Sequence, residues 1–201
     1  MCASDQLLAV SDNMNDQVSA EDIRKLHRIR QNVRDFLTSC ADEYVNIPGR
    51  LLDVAPQDHE GARAYFDGGT EVLTFDIDPK SGCDYIGDLC RYNEVLAPAS
   101  FDFVVCTEVL EHVRQPFFAV QEMQRILVPG GYAFVSTPFN FRIHGPLPDC
   151  WRFTEYGLRE LFSDFDIVRL NALEDEARFL MPIHYTLVAR KPLLSAARKH
   201  A

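Results

Sequence analysis

Hydrophobic and polar residues recur along this chain with two different periods, and the changes of period mark out its elements. From Phe101 the run Phe-Asp-Phe-Val-Val-Cys is almost continuously apolar and rich in β-branched and aromatic side chains, the pattern of a strand covered on both faces. It stops at polar Thr107 and Glu108. From Pro116 onward, Phe117, Val120, Met123, Ile126 and Leu127 recur at helical spacing, with Gln121, Glu122, Gln124 and Arg125 between them. Pro129-Gly130-Gly131 is predicted to end that helix and to turn the chain into a second buried strand, Tyr132 to Ser136. A strand, a helix and a strand in this order make a right-handed crossover unit of a parallel sheet.

The pattern extends in both directions. Ser19 is placed to cap a helix whose positive end holds Glu21 and Asp22, and Ile23, Leu26, Ile29, Val33 and Leu37 line one face through to about Cys40. Residues 50–55 read as a first strand ended by Pro56, 59–67 as a short helix, 71–77 as a second strand and 84–87 as a short third. Beyond the fifth strand, Thr154 caps a helix reaching Phe162, and apolar strands follow over 165–170 and 184–189. Strands interleaved with helices predict an α/β fold with a doubly wound sheet. Residues 1–19 are polar, acidic and unpatterned and are expected to form a flexible extension. Residues 20–191 then form one domain without internal repeats, and 192–201 a basic tail.

Composition narrows the function classes. A chain of 201 residues suffices for one α/β core. Its 20 Lys and Arg against 30 Asp and Glu give a formal charge of −10, which argues against a phosphate-tracking surface and hence against a nucleic-acid partner. The cysteines at 2, 40, 83, 90, 106 and 150 form no CxxC pair and read as reduced thiols of an intracellular protein. No apolar run approaches the roughly 20 residues of a membrane span, and the N-terminus lacks a leader pattern, so the expected location is the cytoplasm. No His, Cys and Asp cluster has zinc-ligand spacing, so no metal is expected. The oligomeric state stays open at this level.

Phe101-Asp102, Glu108 to Val113, Glu122, Arg125 and Pro129-Gly130-Gly131 stand in register in a segment that resembles the central part of class I S-adenosylmethionine (SAM) dependent methyltransferases. The resemblance implies a Rossmann-like seven-stranded sheet, mostly parallel with an antiparallel strand near the C-terminus. It also implies SAM as cofactor and S-adenosylhomocysteine as product. In doubly wound sheets ligands sit at the carboxyl ends of the strands, where the strand order reverses. Asp76 follows Asp53 by twenty-three positions, near the spacing of about 20 at which an acid meets a ribose hydroxyl. By resemblance, Asp76 holds the ribose, Ile77 lies against the adenine, Asp88 takes the adenine amino group and Leu89 lies beside it. Asp53, Ala55, Thr107 and Glu108 complete the cofactor set. Each acid read alone is a turn or cap residue. The first loop departs from the family's Asp-x-Gly-x-Gly-x-Gly, because Ala55 replaces the first glycine, Pro56 removes a donor and the next glycine is Gly61.

Downstream, Thr137 to Thr154 resembles a "PF…H…PxDxWRxT" loop found in a subset of these methyltransferases. The loop is long and rich in Pro and aromatics, as binding loops are. His144 is the candidate catalytic base, since its ordinary pKa lies nearest neutrality. Phe139, Asp149, Trp151 and Arg152 are the candidate substrate-binding residues; Asp149 either orients His144 or holds Arg152, and Trp151 packs the pocket wall. The alternative is that His144, Asp149 and Arg152 form a purely structural network. His112 reads as a turn cap in preference to a cofactor contact, and His59 and His184 read as incidental. Three functions remain to be separated. The first is a methyltransferase acting on an oxygen or nitrogen of a small-molecule or glycan-type acceptor. The second is a catalytically degenerate binding or regulatory module with a spoiled first loop. A nicotinamide-dependent oxidoreductase is disfavoured by the missing Gly-rich pyrophosphate turn.

Overall fold

The computed structural model describes residues 18–44, 48–56, 61–66 and 69–193. Helix α1 (Ala20–Tyr44) precedes strand β1 (Arg50–Val54), and a 3-10 turn (Ala62–Ala64) leads to β2 (Glu71–Asp76) and β3 (Tyr85–Ile86). Then come β4 (Phe101–Thr107), α2 (Pro116–Ile126), β5 (Leu127–Pro138), α3 (Glu155–Leu161), β6 (Asp166–Leu173) and β7 (His184–Arg190). The strands form one sheet in the order β3-β2-β1-β4-β5-β7-β6. Pairing is parallel from β3 to β5, and β7 runs antiparallel to both of its neighbours. The chain winds outward from β1 to β3 and then crosses over to β4. The strand order therefore reverses between β1 and β4, and a ligand crevice belongs at their carboxyl ends.

Alternation along the central strands sorts the core into two layers. Leu52, Val54, Val104, Cys106 and Val135 face α2 and α3, against Ala119, Val120, Met123, Leu158 and Leu161. Leu51, Phe103, Val105, Phe134 and Val188 face the other way, against Phe36, Leu37 and Cys40 of α1. Phe134 is stacked between Phe66 and Phe103, each ring centroid 5.9 Å away. Burial pushes the Cys40 thiol up to about 12 and raises Cys106 as well, so neither is a nucleophile at neutral pH.

Several expectations need correction. The Ser19 hydroxyl does accept the Asp22 N–H at 3.1 Å, but α1 continues past Cys40 to Tyr44. In place of a helix over 59–67 the described part holds only the 3-10 turn. Phe117 is exposed, and Pro116 and Ala119 take up the buried face of α2 instead. Pro129-Gly130-Gly131 does not terminate α2, which stops at Ile126; it lies inside β5 as a bulge that shifts register between Phe101 and Phe103. Glycine is required there, since Gly130 has φ +85 and a Cβ on Gly131 would stand 2.8 Å from the Asp102 carbonyl oxygen. The N-terminal extension up to residue 17, His59, and the tail from residue 194 lie outside the described residues.

Candidate active site

The carboxyl ends of β1 and β4 open into a cavity of about 450 Å³. That volume is within the range of about 300–1,000 Å³ usual for small-molecule sites. Leu26, Ile29 and Val33 of α1 cover one side, and Phe141, Arg142, His144 and Gly145 close another. Of the residues singled out from the sequence, Asp53, Ala55, Thr107, Glu108 and His144 line it. Asp76, Ile77, Asp88 and Leu89 stand at the ends of β2 and β3, outside its wall. Phe139, Asp149, Trp151 and Arg152 are not in its wall: Asp149 joins His144 to Arg152, Trp151 stacks on Phe153 and the Phe139 ring meets Tyr185.

At the end of β1 the chain turns through Ala55, whose φ of +51 is in the left-handed region where glycine is at ease and alanine is strained. Its N–H donates to the Phe75 carbonyl at 2.7 Å, which ties the turn to β2. Asp53 is 4% exposed, and its Oδ2 accepts the Ala62 N–H at 2.6 Å. Gly61 passes so close that a Cβ there would lie 2.9 Å from the same oxygen. Burial pushes the Asp53 carboxyl up to about 6, against the opposing pull of the Ala62 N–H and the Arg63 charge. At the end of β2, Asp76 Oδ1 accepts the Asp78 N–H at 2.7 Å, and the Ile77 side chain is 68% exposed. Asp88 Oδ1 accepts the Cys90 N–H at 2.9 Å, while Leu89 is buried.

At the end of β4, Glu108 has φ +57 and aims its carboxylate between β5 and β7. Oε1 accepts the Ser136 hydroxyl at 2.8 Å and the His184 Nε2–H at 2.5 Å. Since a carboxylate only accepts, the ring proton lies on Nε2 and Nδ1 accepts from the Asn32 amide at 2.8 Å. Burial pushes the Glu108 carboxyl up, but the His184 imidazole and the bonds from His184 and Ser136 outweigh it and hold it below the usual range. His184 is therefore not incidental: it is wholly buried and links α1, β4 and β7.

The loop after β5 is stitched by Asp149, whose carboxylate accepts the His144 backbone N–H at 2.9 Å and pairs with the Arg152 guanidinium. His144 Nδ1 lies 3.1 Å from the same carboxylate, so Asp149 both orients His144 and holds Arg152. Burial raises the Asp149 carboxyl, but Arg152 and the His144 N–H prevail and keep it below the usual range. Arg152 also donates to the Arg142 carbonyl at 2.9 Å. Trp151 stacks on Phe153 and donates its indole N–H to the Val113 carbonyl at 2.8 Å, fixing the loop to the segment after β4. His112 is not a turn cap through its side chain; its Nδ1 donates to the Pro148 carbonyl at 3.1 Å, and its ring meets His144 edge to face, centroids 4.9 Å apart. Beside both lies Glu111, with no solvent exposure. Burial, then the Glu108 charge, pushes its carboxyl well above the usual range. Glu111, Asn32 and His184 are site residues to which the sequence pattern gave no role. The two acids and the histidine of Glu108-Val-Leu-Glu-His112, following a buried strand, were the only signal for one of them.

A family profile described as "Methyltransferase domain" matches residues 24–175. A ubiquinone biosynthesis O-methyltransferase of Leptothrix cholodnii is 45% identical over 130 residues, covering 58% of this chain and 54% of the relative. One from Vibrio cholerae is 42% identical over 100 residues, covering 49% of this chain and 36% of the relative. The chain thus spans about half or less of these curated relatives. Among solved structures, the 1,6-didemethyltoxoflavin-N1-methyltransferase of Burkholderia thailandensis superposes with a TM-score of 0.59 at 19% identity, covering 96% of this chain and 92% of that one, a likeness of fold. That structure contains S-adenosylhomocysteine. With the profile spanning most of the chain and the strand order and crevice agreeing, the chain belongs to the methyltransferase-domain family of class I SAM-dependent enzymes.

Proposed function

We propose that this chain methylates an oxygen or nitrogen of a small-molecule or glycan-type acceptor, with a hydroxyl oxygen favoured by the O-methyltransferase relatives. The observation that carries the reading is a single cavity at the β1/β4 switch point, with the buried Asp53 carboxylate on one wall and Glu108 with His144 on another.

The residues fit the cofactor despite the altered first loop. Ala55 adopts the left-handed turn that a glycine would otherwise supply, and Gly61 supplies the close approach to Asp53. SAM has no phosphate, so the lost phosphate-cradling glycines cost little. Asp53 is a buried carboxylate that forms no ion pair among the described residues, suited to the amino-acid end of SAM. Asp76 offers a carboxylate to the ribose diol and Ile77 an exposed apolar face to the adenine, with Asp88 and Leu89 at its edge. When bound, SAM supplies an already activated methyl group. The protein's part is positioning, for which aligned reactants gain several kcal/mol. Asp149 pins His144 through Nδ1, leaving the Nε2 lone pair as what His144 brings to an acceptor. Trp151 and Arg152 hold the loop that carries His144, and Phe139 packs on Tyr185 where that loop leaves β5.

Calorimetric titration with S-adenosylhomocysteine, followed by turnover of methyl-labelled SAM with phenols, sugar hydroxyls and amines, tests the reading. Micromolar binding that weakens about tenfold or more in Asp53→Asn is expected, a loss on the scale of one charge-assisted hydrogen bond. No binding of either SAM or its product would overturn it in favour of a non-catalytic module.

A further inference from the structure

Glu111 is wholly withdrawn from solvent, and neither of its carboxyl oxygens has a hydrogen-bond partner among the described residues. An unsatisfied polar group in that position is destabilising and calls for an explanation. Its neighbours are two imidazoles: His112 Nε2 and His144 Nε2 each lie 3.7 Å from Glu111 Oε1. One ligand atom from each of the three side chains falls within 4.8 Å of the others. The outer nitrogens are already committed, His112 Nδ1 to the Pro148 carbonyl and His144 Nδ1 to Asp149, with a longer 3.3 Å contact to the Arg142 carbonyl. Carbonyl and carboxylate oxygens only accept, so both rings carry their proton on Nδ1 and turn an Nε2 lone pair toward Glu111. A backing carbonyl and a backing carboxylate are the partners that metal-ligating histidines have.

We propose that Glu111, His112 and His144 bind a single divalent transition-metal cation. Two imidazole nitrogens and one carboxylate suit zinc, cobalt, manganese or iron(II), whereas magnesium and calcium prefer an all-oxygen set. Ligand atoms about 2.0–2.2 Å from such a cation stand about 3.0–3.5 Å apart, so the two Glu111 contacts close by only a fraction of an ångström. The negative charge of Glu108 acts on Glu111 and adds to the attraction for a cation. Three protein ligands leave coordination positions open. His144 lines the cavity, so those positions face it. The site stands on its own geometry; its use, to hold an acceptor oxygen beside the methyl donor, rests on the methyltransferase reading, and a bound cation takes the Nε2 lone pair that His144 otherwise offers to an acceptor. The histidines are 112 and 144 in the chain, too far apart for a short metal-binding spacing, which is why the sequence alone pointed to no metal.

The full-length protein, stripped with a chelator and desalted, is titrated with Co²⁺, Zn²⁺ and Mg²⁺. One equivalent of Co²⁺ is expected to bind with a visible spectrum distinct from the hexaaqua ion, to be displaced by Zn²⁺ and not by equal Mg²⁺. Glu111→Gln and His144→Asn should each weaken Co²⁺ by at least about tenfold with the unfolding temperature of the stripped protein retained. His27→Asn, on the exposed face of α1, should change nothing. Substoichiometric binding, a hexaaqua-like spectrum of the wild type, or undiminished affinity in both variants would overturn the site; the wild-type spectrum decides even if a variant fails to fold. S-adenosylhomocysteine is titrated separately into the stripped protein. If S-adenosylhomocysteine binds and Co²⁺ does not, the metal site is removed and the cofactor reading stands; if Co²⁺ binds and S-adenosylhomocysteine does not, the cofactor reading alone is removed.

Discussion

Asp53 combines a buried carboxylate with a single short hydrogen bond, and that combination fixes how the site responds to pH. Its pKa rises from an ordinary 3.8 to about 6 on folding. Its contribution to stability is thus fully present below 3.8 and is lost as pH rises through about 6, because the folded state then holds an ion that the unfolded chain would solvate. A shift of this size corresponds to about 3 kcal/mol. Asp53→Asn keeps an acceptor for the Ala62 N–H but has no charge to bury. The variant is therefore expected to gain on the wild type by up to about 3 kcal/mol between pH 4 and pH 7.5 in urea unfolding. A pH-independent difference would show that Asp53 is not the buried ion described. A cationic ligand beside Asp53 has the opposite effect on its pKa, so cofactor binding near pH 6 should release a proton. Calorimetry in two buffers of different ionisation enthalpy reads that release directly.

Among the elements, the strands and helices were legible because each is set by local periodicity. The segment Phe101–Cys106, the helix from Pro116 and the Thr154 cap all stand where the apolar pattern put them. The Pro-Gly-Gly segment was misread because a glycine pair marks a bulge as readily as a helix end, and only the neighbouring Asp102 backbone decides which. The site was half legible. Asp53 stands near the end of β1 and Glu108 just after β4, so both could be found from strand ends, but the Glu108–His184–Asn32 chain joins the end of β4 to β7 and α1 with no sequence proximity. The same chain is what fastens α1 over the cavity. His184→Phe keeps the buried ring and removes both bonds, leaving Glu108 with only its bond from Ser136 and Asn32 without the bond to the imidazole. A loss of about 2–4 kcal/mol is expected from urea unfolding, and about 1 kcal/mol from Asn32→Ala, which frees only one bond. The double variant should cost less than the sum of the two. A His184→Phe loss below that of Asn32→Ala would mean that Glu108 finds another partner.

Across the whole molecule, the cavity lies where three parts meet that the sheet alone does not hold together: α1, the turn after β1 and the loop carrying His144. The sheet is the rigid frame, with Phe103 to Cys106 of β4 buried and β7 buried between β5 and β6. By contrast, α1 spans the cavity on the side chains of Leu26, Ile29 and Val33 and is tied at its distal part by Asn32 and by Arg169 to Glu43. A ligand filling the cavity replaces missing contacts beneath α1, and it stabilises the folded state by mass action, about 2.7 kcal/mol at a hundredfold excess over Kd. Local opening of α1 and of the turn should be suppressed beyond that global amount, because these segments open without unfolding the sheet. Hydrogen exchange with and without saturating S-adenosylhomocysteine is expected to slow most over residues 26–37, 53–56, 61–66 and 107–112, with little change in α3 and β6, which touch no cavity wall. Uniform slowing everywhere would mean that exchange proceeds through global unfolding alone. Slowing confined to α3 and β6 would place the ligand elsewhere and remove the cavity at the β1/β4 switch point as the cofactor site.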